Sequence, residues 1–561
     1  MRTRFFSAAM LSLAVTAGAL AQHGQGTPQD KPGDASSSAS AILFDDLGTH
    51  RRPITTKVEK AQRYFDQGLR LVFAFNLDEA QRSFEEAAKL DPACAMAQWG
   101  IAMTLGPNIN VPAMEDRAKA GYAAARRARE LAAAPGAASD VEKALIDAVS
   151  KRYSETPPTK PEDQAALDRA YADAMRQVYT QFPDDADVGA LCAESMMTLR
   201  PWDLWKSDGT PQPGTEEIVA TIEGVLAKHP NHPGANHFYI HAVEASPHPE
   251  KALAAADRLP GLMPGAGHMV HMPAHIYMRL GRYEDACEAN RRAIEVDKVY
   301  LAKVGGPPGF YGMYTAHNFQ FLSAAAAMEG RSAEAIRAAR DMLALLPPET
   351  FTQMPEMDAV LAQPILMLVR FGRWDEVIAE PPPPAGMTFP AAMRFYARGM
   401  AYASRGEMEL AKGQLDQLVA ILNATPADAK KLQNSAKTLL TIARHVLQGR
   451  MAAKESRWSV AEQNMKTAMA LEDGLRYDEP ANWYAPVRQA LGACLMEAGK
   501  HDEAAGVYME DLKRNPKNGW SLYGLSRALR AQEKDDEARP YEVELKEAWK
   551  NADVKLKSSW Y

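Results

Sequence analysis

The segment AQRYFDQGLRLVFAFNLDEAQRSFEEAAKLDPAC, residues 61–94, predicts two helices packed against each other. Small side chains stand where two helices would cross closely, and large side chains stand between them. A proline ends the second helix, because it lacks the backbone N–H that a continuing helix needs. The anchors occupy positions 4, 8, 11, 20, 24, 27 and 32 of a 34-residue unit and are Tyr64, Gly68, Leu71, Ala80, Phe84, Ala87 and Pro92.

The same placement of small and large residues recurs along the chain. Further units begin at Gly267, Ala316, Ala392, Ala485 and Gly519, and the last two begin 34 residues apart. The pattern resembles the tetratricopeptide repeat, a helical hairpin that stacks on its neighbours because one hairpin cannot bury its apolar face alone. We therefore expect an all-α fold, a tetratricopeptide-type helical-repeat solenoid (superhelix) whose first helices line a concave groove.

Irregular inserts interrupt the repeats over residues 107–186, 200–232 and 299–315, and a run of prolines at 381–384 predicts a break between two arrays. We expect five parts: a signal peptide at 1–21, a disordered tether and lead-in at 22–56, an N-terminal array with a histidine-rich groove at 57–380, a proline-rich break at 381–390 and a C-terminal array at 391–561.

The first 21 residues have the three parts of a secretory signal. Arg2 and Arg4 precede an apolar stretch at 5–19, and Ala19-Leu20-Ala21 is a small-residue cleavage site. The stretch is short for a membrane span, and no later run reaches 18 consecutive apolar residues. We expect an exported protein, periplasmic or secreted, that has no membrane span.

Composition excludes several classes of function. The 561-residue chain carries 64 Lys and Arg against 71 Asp and Glu, a net charge of -7. This balance argues against a nucleic-acid partner, which would require clustered basic residues. The four cysteines form no CxxC pair, so a zinc ribbon and a thioredoxin-type motif are excluded.

Histidines are concentrated in one part of the sequence. Eight of the 13 lie between His229 and His275, where an even spread would place about one. His237, His241 and Glu244 share one helical face, because residues three and four apart are neighbours on a helix.

The histidines at 268, 271 and 275 share a second helical face for the same reason. In the repeat frame, both sets and His317 fall at positions 2, 5, 9 or 12 of the first helix, which face the groove in tetratricopeptide proteins. Histidines that adjoin prolines are weaker candidates, and these are His229, His232 and His248.

Imidazole and carboxylate at these spacings are typical of transition-metal sites between helices. The predicted ligands are His237, His241, Glu244, His268, His271, His275 and His317. They exceed one tetrahedral set, so the prediction is either a dinuclear site or one metal with outer partners. The predicted metal is copper, zinc or iron. Nearby methionines would suit Cu(I), although methionine at helical spacing is more often core filler, and these are Met263, Met269, Met272 and Met313.

The sequence leaves enzymatic activity undecided. It contains no HExxH, GxSxG or P-loop motif and no GxGxxG after a strand signal. Tyr239, Tyr277 and Tyr314 are candidate acid/base groups for a metalloenzyme. Trp99, Met103 and the segments 106–110 and 200–205 form either a pocket beside the histidines or packing between irregular units.

Several segments look like a family of secreted bacterial tetratricopeptide-repeat proteins. They are FDQGLRLVFAFNLDEAQRSFEEAAKLDP, LRPWDLWKSDGTPQPGTEEI, GANHFYIHAVEASPHPE, GHMVHMPAHIYMRLGRYEDA and NGWSLYGL. The resemblance covers most of the chain after the signal and implies an all-helical, exported protein, without assigning a reaction.

Two functions are therefore carried forward. The first is a solenoid that binds a transition metal in its groove for storage, handling or catalysis. The second is a non-enzymatic interaction scaffold whose groove binds a peptide or an envelope protein partner. The sequence does not determine the oligomeric state.

Overall fold

The computed structural model describes residues 41–305 and 311–561. The predicted signal peptide and residues 22–40 of the predicted tether lie outside the described residues. Within them the chain forms 26 α-helices, two 3₁₀ helices and one two-stranded sheet.

The helices that precede residue 306 are α1 (Glu59–Phe73), α2 (Leu77–Leu90), α3 (Ala95–Leu105), α4 (Glu115–Ala132), α5 (Asp140–Ser150), α6 (Pro161–Gln181), α7 (Ala186–Met197), α8 (Thr215–Lys228), α9 (Pro233–Val243), α10 (Leu253–Leu262), α11 (Gly267–His271), α12 (Pro273–Arg279) and α13 (Tyr283–Val304). A 3₁₀ helix, Pro249–Ala252, precedes α10.

The helices that follow residue 310 are α14 (Tyr311–Met328), α15 (Ser332–Leu345), α16 (Pro348–Gln353), α17 (Gln363–Arg370), α18 (Trp374–Ala379), α19 (Thr388–Arg405), α20 (Met408–Ala424), α21 (Ala436–Lys454), α22 (Trp458–Asp473), α23 (Val487–Glu497), α24 (His501–Arg514), α25 (Gly519–Ala531) and α26 (Asp535–Ala548). A second 3₁₀ helix spans Pro355–Ala362. Strands β1 (Lys430–Lys431) and β2 (Asn434–Ser435) pair antiparallel, with Lys430 opposite Ser435.

The all-α, helical-repeat prediction is confirmed. Each unit found in the sequence folds as a hairpin of consecutive helices, beginning with α1 and α2 for residues 61–94. A Cβ added at Gly68 would lie 2.7 Å from the Phe84 ring. This close contact explains why the frame pairs a small residue at position 8 with a large residue at position 24. In the unit that begins at Gly267, the first helix is divided into α11 and α12 at Pro273.

The predicted inserts are largely helical as well. Residues 107–186 contain α4, α5 and α6, which form hairpins without the 34-residue frame. The insert at 200–232 contains an irregular loop followed by α8, and this loop reaches the histidine-bearing helices described below.

The lead-in from residue 41 to 56 has no helix but packs against the first hairpin. The Phe44 amide donates to Gln67 at 2.8 Å, and the Gly265 amide donates to the Asp46 carbonyl at 2.7 Å. Leu47 is buried in the same core as α1. This part of the predicted disordered tether and lead-in is therefore held in place by hydrogen bonds and apolar packing.

The proline run at 381–384 connects helices that share one hydrophobic cluster. Val369 and Val377 before the run pack in the same cluster as Phe389 and Met393 after it. The division of the chain into two arrays at this run stays a prediction.

The C-terminal hairpins pack back onto the middle of the chain. Trp520 on α25 is fully buried, and its Nε1 donates to the Ala327 carbonyl of α14 at 3.0 Å. The Arg370 guanidinium stacks on the Trp520 ring at 4.0 Å from its centroid. Asp553 accepts from the backbone amides of Ser332 and Ala333 at 2.7 and 2.9 Å, which satisfies free donors at the start of α15.

Among the helices of the described residues, none is both long enough and apolar enough to cross a membrane.

Replacing Trp520 by Ala should lower the free energy of unfolding by about 3–5 kcal/mol, the usual cost of deleting a large buried aromatic side chain. The control is Val543→Ala, because Val543 is 66% exposed and its truncation should change stability by less than about 0.5 kcal/mol. The measurement is the urea midpoint followed by circular dichroism. Equal midpoints for the two variants would show that the C-terminal hairpins do not depend on this contact.

Candidate metal centre

Four neighbouring helices carry the seven predicted ligands. His237 and His241 lie on α9, and Glu244 follows directly at its end; His268 and His271 lie on α11, His275 on α12 and His317 on α14. The first six ligands are buried, each no more than 6% exposed, and His317 is half-buried. The structure thus brings together every residue that helical spacing and the repeat frame selected.

Their ring nitrogens approach one another in pairs. The Nε2 atoms of His237 and His268 are 3.1 Å apart, and those of His271 and His275 are 2.7 Å apart. The His317 ring lies 4.9 Å from the His271 ring, centroid to centroid. Because these contacts run between α9, α11, α12 and α14, imidazoles form the interface between the helices at this point.

Outer hydrogen bonds orient His237 and His271. His237 Nδ1 lies 2.6 Å from the Phe73 carbonyl, which is free to accept because α1 ends at this residue. His271 Nδ1 lies 2.7 Å from Asn290 Oδ1, and Asn290 Nδ2 donates to the Ala286 carbonyl, which fixes the direction of the amide. Both Nδ1 atoms must therefore carry the proton, and both Nε2 atoms present a lone pair to the interior.

A carboxyl group contacts two further histidines, His241 and His275. Glu244 Oε1 lies 3.0 Å from His241 Nδ1, and Glu244 Oε2 lies 2.6 Å from His275 Nδ1. Metal-binding histidines commonly donate the outer N–H to a carboxylate or a carbonyl in this way, which sets the tautomer and the ring orientation.

The sequence prediction missed Glu479 and Asn290. Glu479 lies in the loop between α22 and α23, and its carboxyl group contacts His275 Nδ1. No local pattern marks it, because 204 residues separate it from His275. Asn290 had a signal: it occupies position 24 of its repeat, where the first unit has Phe84, so a polar residue replaces a large apolar one.

Burial determines the charge state of the cluster. Burial lowers the pKa of His241 to about 3 and that of His317 to about 4, and it lowers the pKa of the other histidines in the set as well. Burial also raises the pKa of Glu244 and Glu479 above the ordinary value. At neutral pH the imidazoles are therefore uncharged, which is the form that binds metal ions.

The predicted concave groove is filled where the histidines lie. The face that carries the histidines is covered by the chain itself, with Trp202 from the loop after α7 packing edge-on against His241 at 5.7 Å and Glu479 closing over His275. The reason is that the C-terminal hairpins fold back onto the middle of the chain, which the repeat frame does not specify. What remains is a cavity of about 80 Å³ beside the rings.

The other predicted candidates divide between the cavity and the core. Asn110 and Trp202 line the cavity and are joined by a 3.1 Å hydrogen bond, whereas Trp99 and Met103 are packed in the core. Of the tyrosines, only Tyr314 lies at the site, its ring 4.6 Å from that of His268.

Tyr239 and Tyr277 point away from the cluster, and each is hydrogen-bonded to a carboxylate at 2.6 Å. Of the four methionines, Met313 lines the cavity, and Met263, Met269 and Met272 belong to the core.

A second histidine cluster lies at the lead-in. Asp187 Oδ1 lies 2.8 Å from His50 Nε2 and 2.9 Å from His232 Nε2, and Asp187 Oδ2 accepts from Arg52 at 3.0 Å. His232 Nδ1 accepts from the Ala235 amide and caps α9. Arg52 already balances the carboxylate, so this cluster is an anchor for the lead-in rather than a vacant ligand set.

We call the seven predicted ligands the central cluster. Three groups of side chains in it have ligand atoms within 4.8 Å of one another. The groups are His237, His241 and His268; His271, His275 and His317; and His241, Glu244 and His275. Two ligands of one zinc ion, each bonded at 2.0–2.1 Å, are at most about 4.2 Å apart, so modest side-chain movements bring either three-histidine set to bonding geometry.

Comparison with known proteins identifies one repeat directly. Residues 269–300 match the family model described as Tetratricopeptide repeat, and this segment carries His271 and His275. No curated protein sequence matches the chain.

Solved structures similar to this chain include helical-repeat proteins. They are the human IFIT1 dimer with m7Gppp-AAAA (12% identity, TM-score 0.32, 88% of this chain and 91% of that chain), the APC/C hetero-tetramer Cut9-Hcn1 (13%, 0.30, 89% and 76%) and yeast Tom70 (10%, 0.28, 86% and 90%). At these TM-scores the likeness supports no statement about what this chain binds.

A buried carboxyl group supports the cluster from behind. Asp297 on α13 accepts from the Tyr311 hydroxyl at 2.7 Å and from Asn318 Nδ2 at 2.8 Å, both on α14. A Cβ at Gly267 would clash with Asp297 Oδ1, so only glycine fits where α11 begins. Burial raises the pKa of Asp297 to about 7.

Asp297→Asn should therefore change how stability depends on pH. The folded state binds the Asp297 proton more tightly than the unfolded chain, whose aspartate pKa is about 3.9. The stabilisation that this provides is complete below about pH 4 and is lost as pH rises through 7. Asparagine keeps the shape, accepts from Tyr311 through its oxygen and can donate to Asn318 once that amide turns its free oxygen inward. It cannot ionise, so the variant should gain stability relative to wild type between pH 5 and pH 8.

Thermal unfolding midpoints at pH 5, 6, 7 and 8 test this, with Asp341→Asn on the exposed side of α15 as the matched control. A constant difference between Asp297→Asn and wild type over this pH range would contradict the assignment of a raised pKa to Asp297.

Proposed function

We propose that this protein is an exported, periplasmic or secreted, helical-repeat protein that binds transition-metal ions through the central cluster. Copper, zinc and iron are all compatible with imidazole and carboxylate ligands. The observation that carries the proposal is the convergence of oriented Nε2 lone pairs in a buried space.

The argument begins with His237 and His271, whose Nδ1 protons are committed to Phe73 and Asn290. Their Nε2 lone pairs face the Nε2 atoms of His268 and His275 at 3.1 and 2.7 Å. Without a cation, each pair needs the second ring to supply a proton. A metal ion satisfies both lone pairs at once and leaves the His275 Nδ1–H free to donate to Glu244.

The number and grouping of the ligands favour two ions. The two three-histidine sets share no residue, and Glu244 lies between His241 of the first set and His275 of the second. Three protein ligands leave an open coordination position on a metal ion, which can polarise a bound ligand or activate water. This feature makes a metalloenzyme and a metal-handling protein equally consistent with the ligand set.

The tetratricopeptide-type scaffold is also suited to protein interaction, which was the second function carried forward from the sequence. The histidine face itself is filled by Trp202 and Glu479, so a peptide bound by these histidines would have to displace both side chains. The burial of the ligands thus favours metal over peptide at this face, while the outer surfaces of the hairpins remain available to a partner.

His241→Ala and His271→Ala should each disrupt one three-histidine set, and the double variant should bind no metal. The measurement is the metal-to-protein ratio by elemental analysis after reconstitution with Cu, Zn or Fe, with helical content followed by circular dichroism. His248→Ala and His445→Ala are the matched controls, because each removes a histidine outside the cluster and should leave the ratio unchanged.

Since His271 is fully buried, a spectroscopic measurement on the wild-type protein complements the variants. Titration with Co(II) should produce the visible absorption bands of nitrogen-coordinated cobalt, saturating at one or two equivalents. A wild-type protein that takes up no metal, or a double variant that retains the full ratio, would refute the proposal.

A further inference from the structure

The cavity of about 80 Å³ beside the histidines has a wall that is mostly apolar. Its lining includes Trp202, Met313, Met342, Leu346, Met357 and Val360. On the opposite side it is bounded by four of the proposed ligands, His241, His268, His275 and His317, and by Glu479. The cavity is therefore part of the same space as the proposed metal centre.

Two ring nitrogens on the histidine side of the cavity lack hydrogen-bond partners. His241 Nε2 and His268 Nδ1 are buried and accept or donate no hydrogen bond within the described residues. An unpaired polar atom in an apolar space costs free energy, so unpaired atoms there indicate a missing occupant.

The amide groups that line the cavity are already hydrogen-bonded. Asn110 Oδ1 accepts from Trp202 Nε1, and Gln320 Nε2 donates to the Tyr484 hydroxyl. Besides the Tyr314 hydroxyl, the lining therefore offers imidazole nitrogens and the Glu479 carboxyl group as its polar groups, and it contains no lysine or arginine.

From these observations we infer that the cavity is the ligand pocket of the metal centre and that its ligand is a neutral diatomic molecule of the dioxygen, nitric oxide and carbon monoxide class. The inference rests on the proposed function, because the metal supplies the bond that holds the ligand. The histidine sets leave an open position on the metal, and the cavity is the space into which that position opens.

Size and polarity select this class of ligand. An apolar cavity of about 150 Å³ stays dry and accepts benzene or xenon, so about half that volume admits only a few heavy atoms. A charged or strongly hydrogen-bonding ligand would lose its hydration against Leu346, Val360 and the methionines without replacement partners. A diatomic gas loses almost nothing on entry.

The cavity also shares a lining residue with an open cleft. Glu479 borders both this cavity and an open cleft of about 730 Å³ between the loop after α7 and the C-terminal hairpins. Phe321, which stacks on His275 with ring centroids 4.9 Å apart, also lines the cleft. Glu479 and Phe321 thus lie between this cleft and the histidines.

The test has two arms. In the first, crystals of metal-free protein are pressurised with xenon, which should occupy the cavity between Trp202 and Met342. In the second, protein loaded with Cu(I) or Fe(II) is exposed to carbon monoxide without oxygen, and a C–O stretching band of the metal-bound gas should appear in the infrared spectrum.

The variant Ala316→Leu fills the cavity, because Ala316 lines it and is otherwise buried on α14. It should bind metal at the wild-type ratio but lose at least about nine-tenths of the carbon monoxide band. Ala333→Leu, at an exposed position of α15, is the matched control and should retain the band.

The outcomes separate this inference from the proposed function. Metal uptake without a carbon monoxide band, or no xenon in the cavity, overturns the inference and leaves the metal site standing. If the wild-type protein takes up no metal, both fall together. The wild-type arms give a result even if Ala316→Leu fails to fold.

Discussion

The arrangement depends on one constraint, which is that five imidazoles are buried side by side, with the half-buried His317 beside them, where no charge can be hydrated. Ionising any of them there would cost several kcal/mol, so the rings stay neutral and each must place its single N–H on an acceptor. The Phe73 carbonyl, Asn290 and Glu244 supply acceptors for four of the rings, His237, His271, His241 and His275. Once the outer nitrogens are fixed, the direction of the inner lone pairs follows.

The helical repeat brings these histidines together. First helices of consecutive hairpins stand side by side, so the same repeat positions on α9, α11 and α14 bring their side chains to one line. The first helix of this unit is divided at Pro273 into α11 and α12, and His271 and His275 remain in contact across the division. The C-terminal hairpins, anchored by Trp520, then place Glu479 over the rings and exclude water.

The sequence predicted the hairpins, the shared faces of the histidines and their convergence, because these depend on the 3.6-residue period and on a frame that repeats every 34 residues. It did not predict the burial of the site. The closure depends on how far the superhelix turns before its C-terminal part meets its middle. The helices α4 to α8 contribute to that turn, and their sequence does not follow the 34-residue frame. Glu479 could not be selected for the same reason, whereas Asn290 could have been, from its position in the repeat.

The most direct test of a metal centre formed by the histidines is an anomalous-scattering map from crystals of the protein, recorded on both sides of the copper, zinc and iron absorption edges. The account predicts one or two peaks within bonding distance of the ring nitrogens of His237, His241 and His268 or of His271, His275 and His317. A map of metal-soaked crystals with no peak among these residues, or with its only peak at His50 and His232, would contradict it.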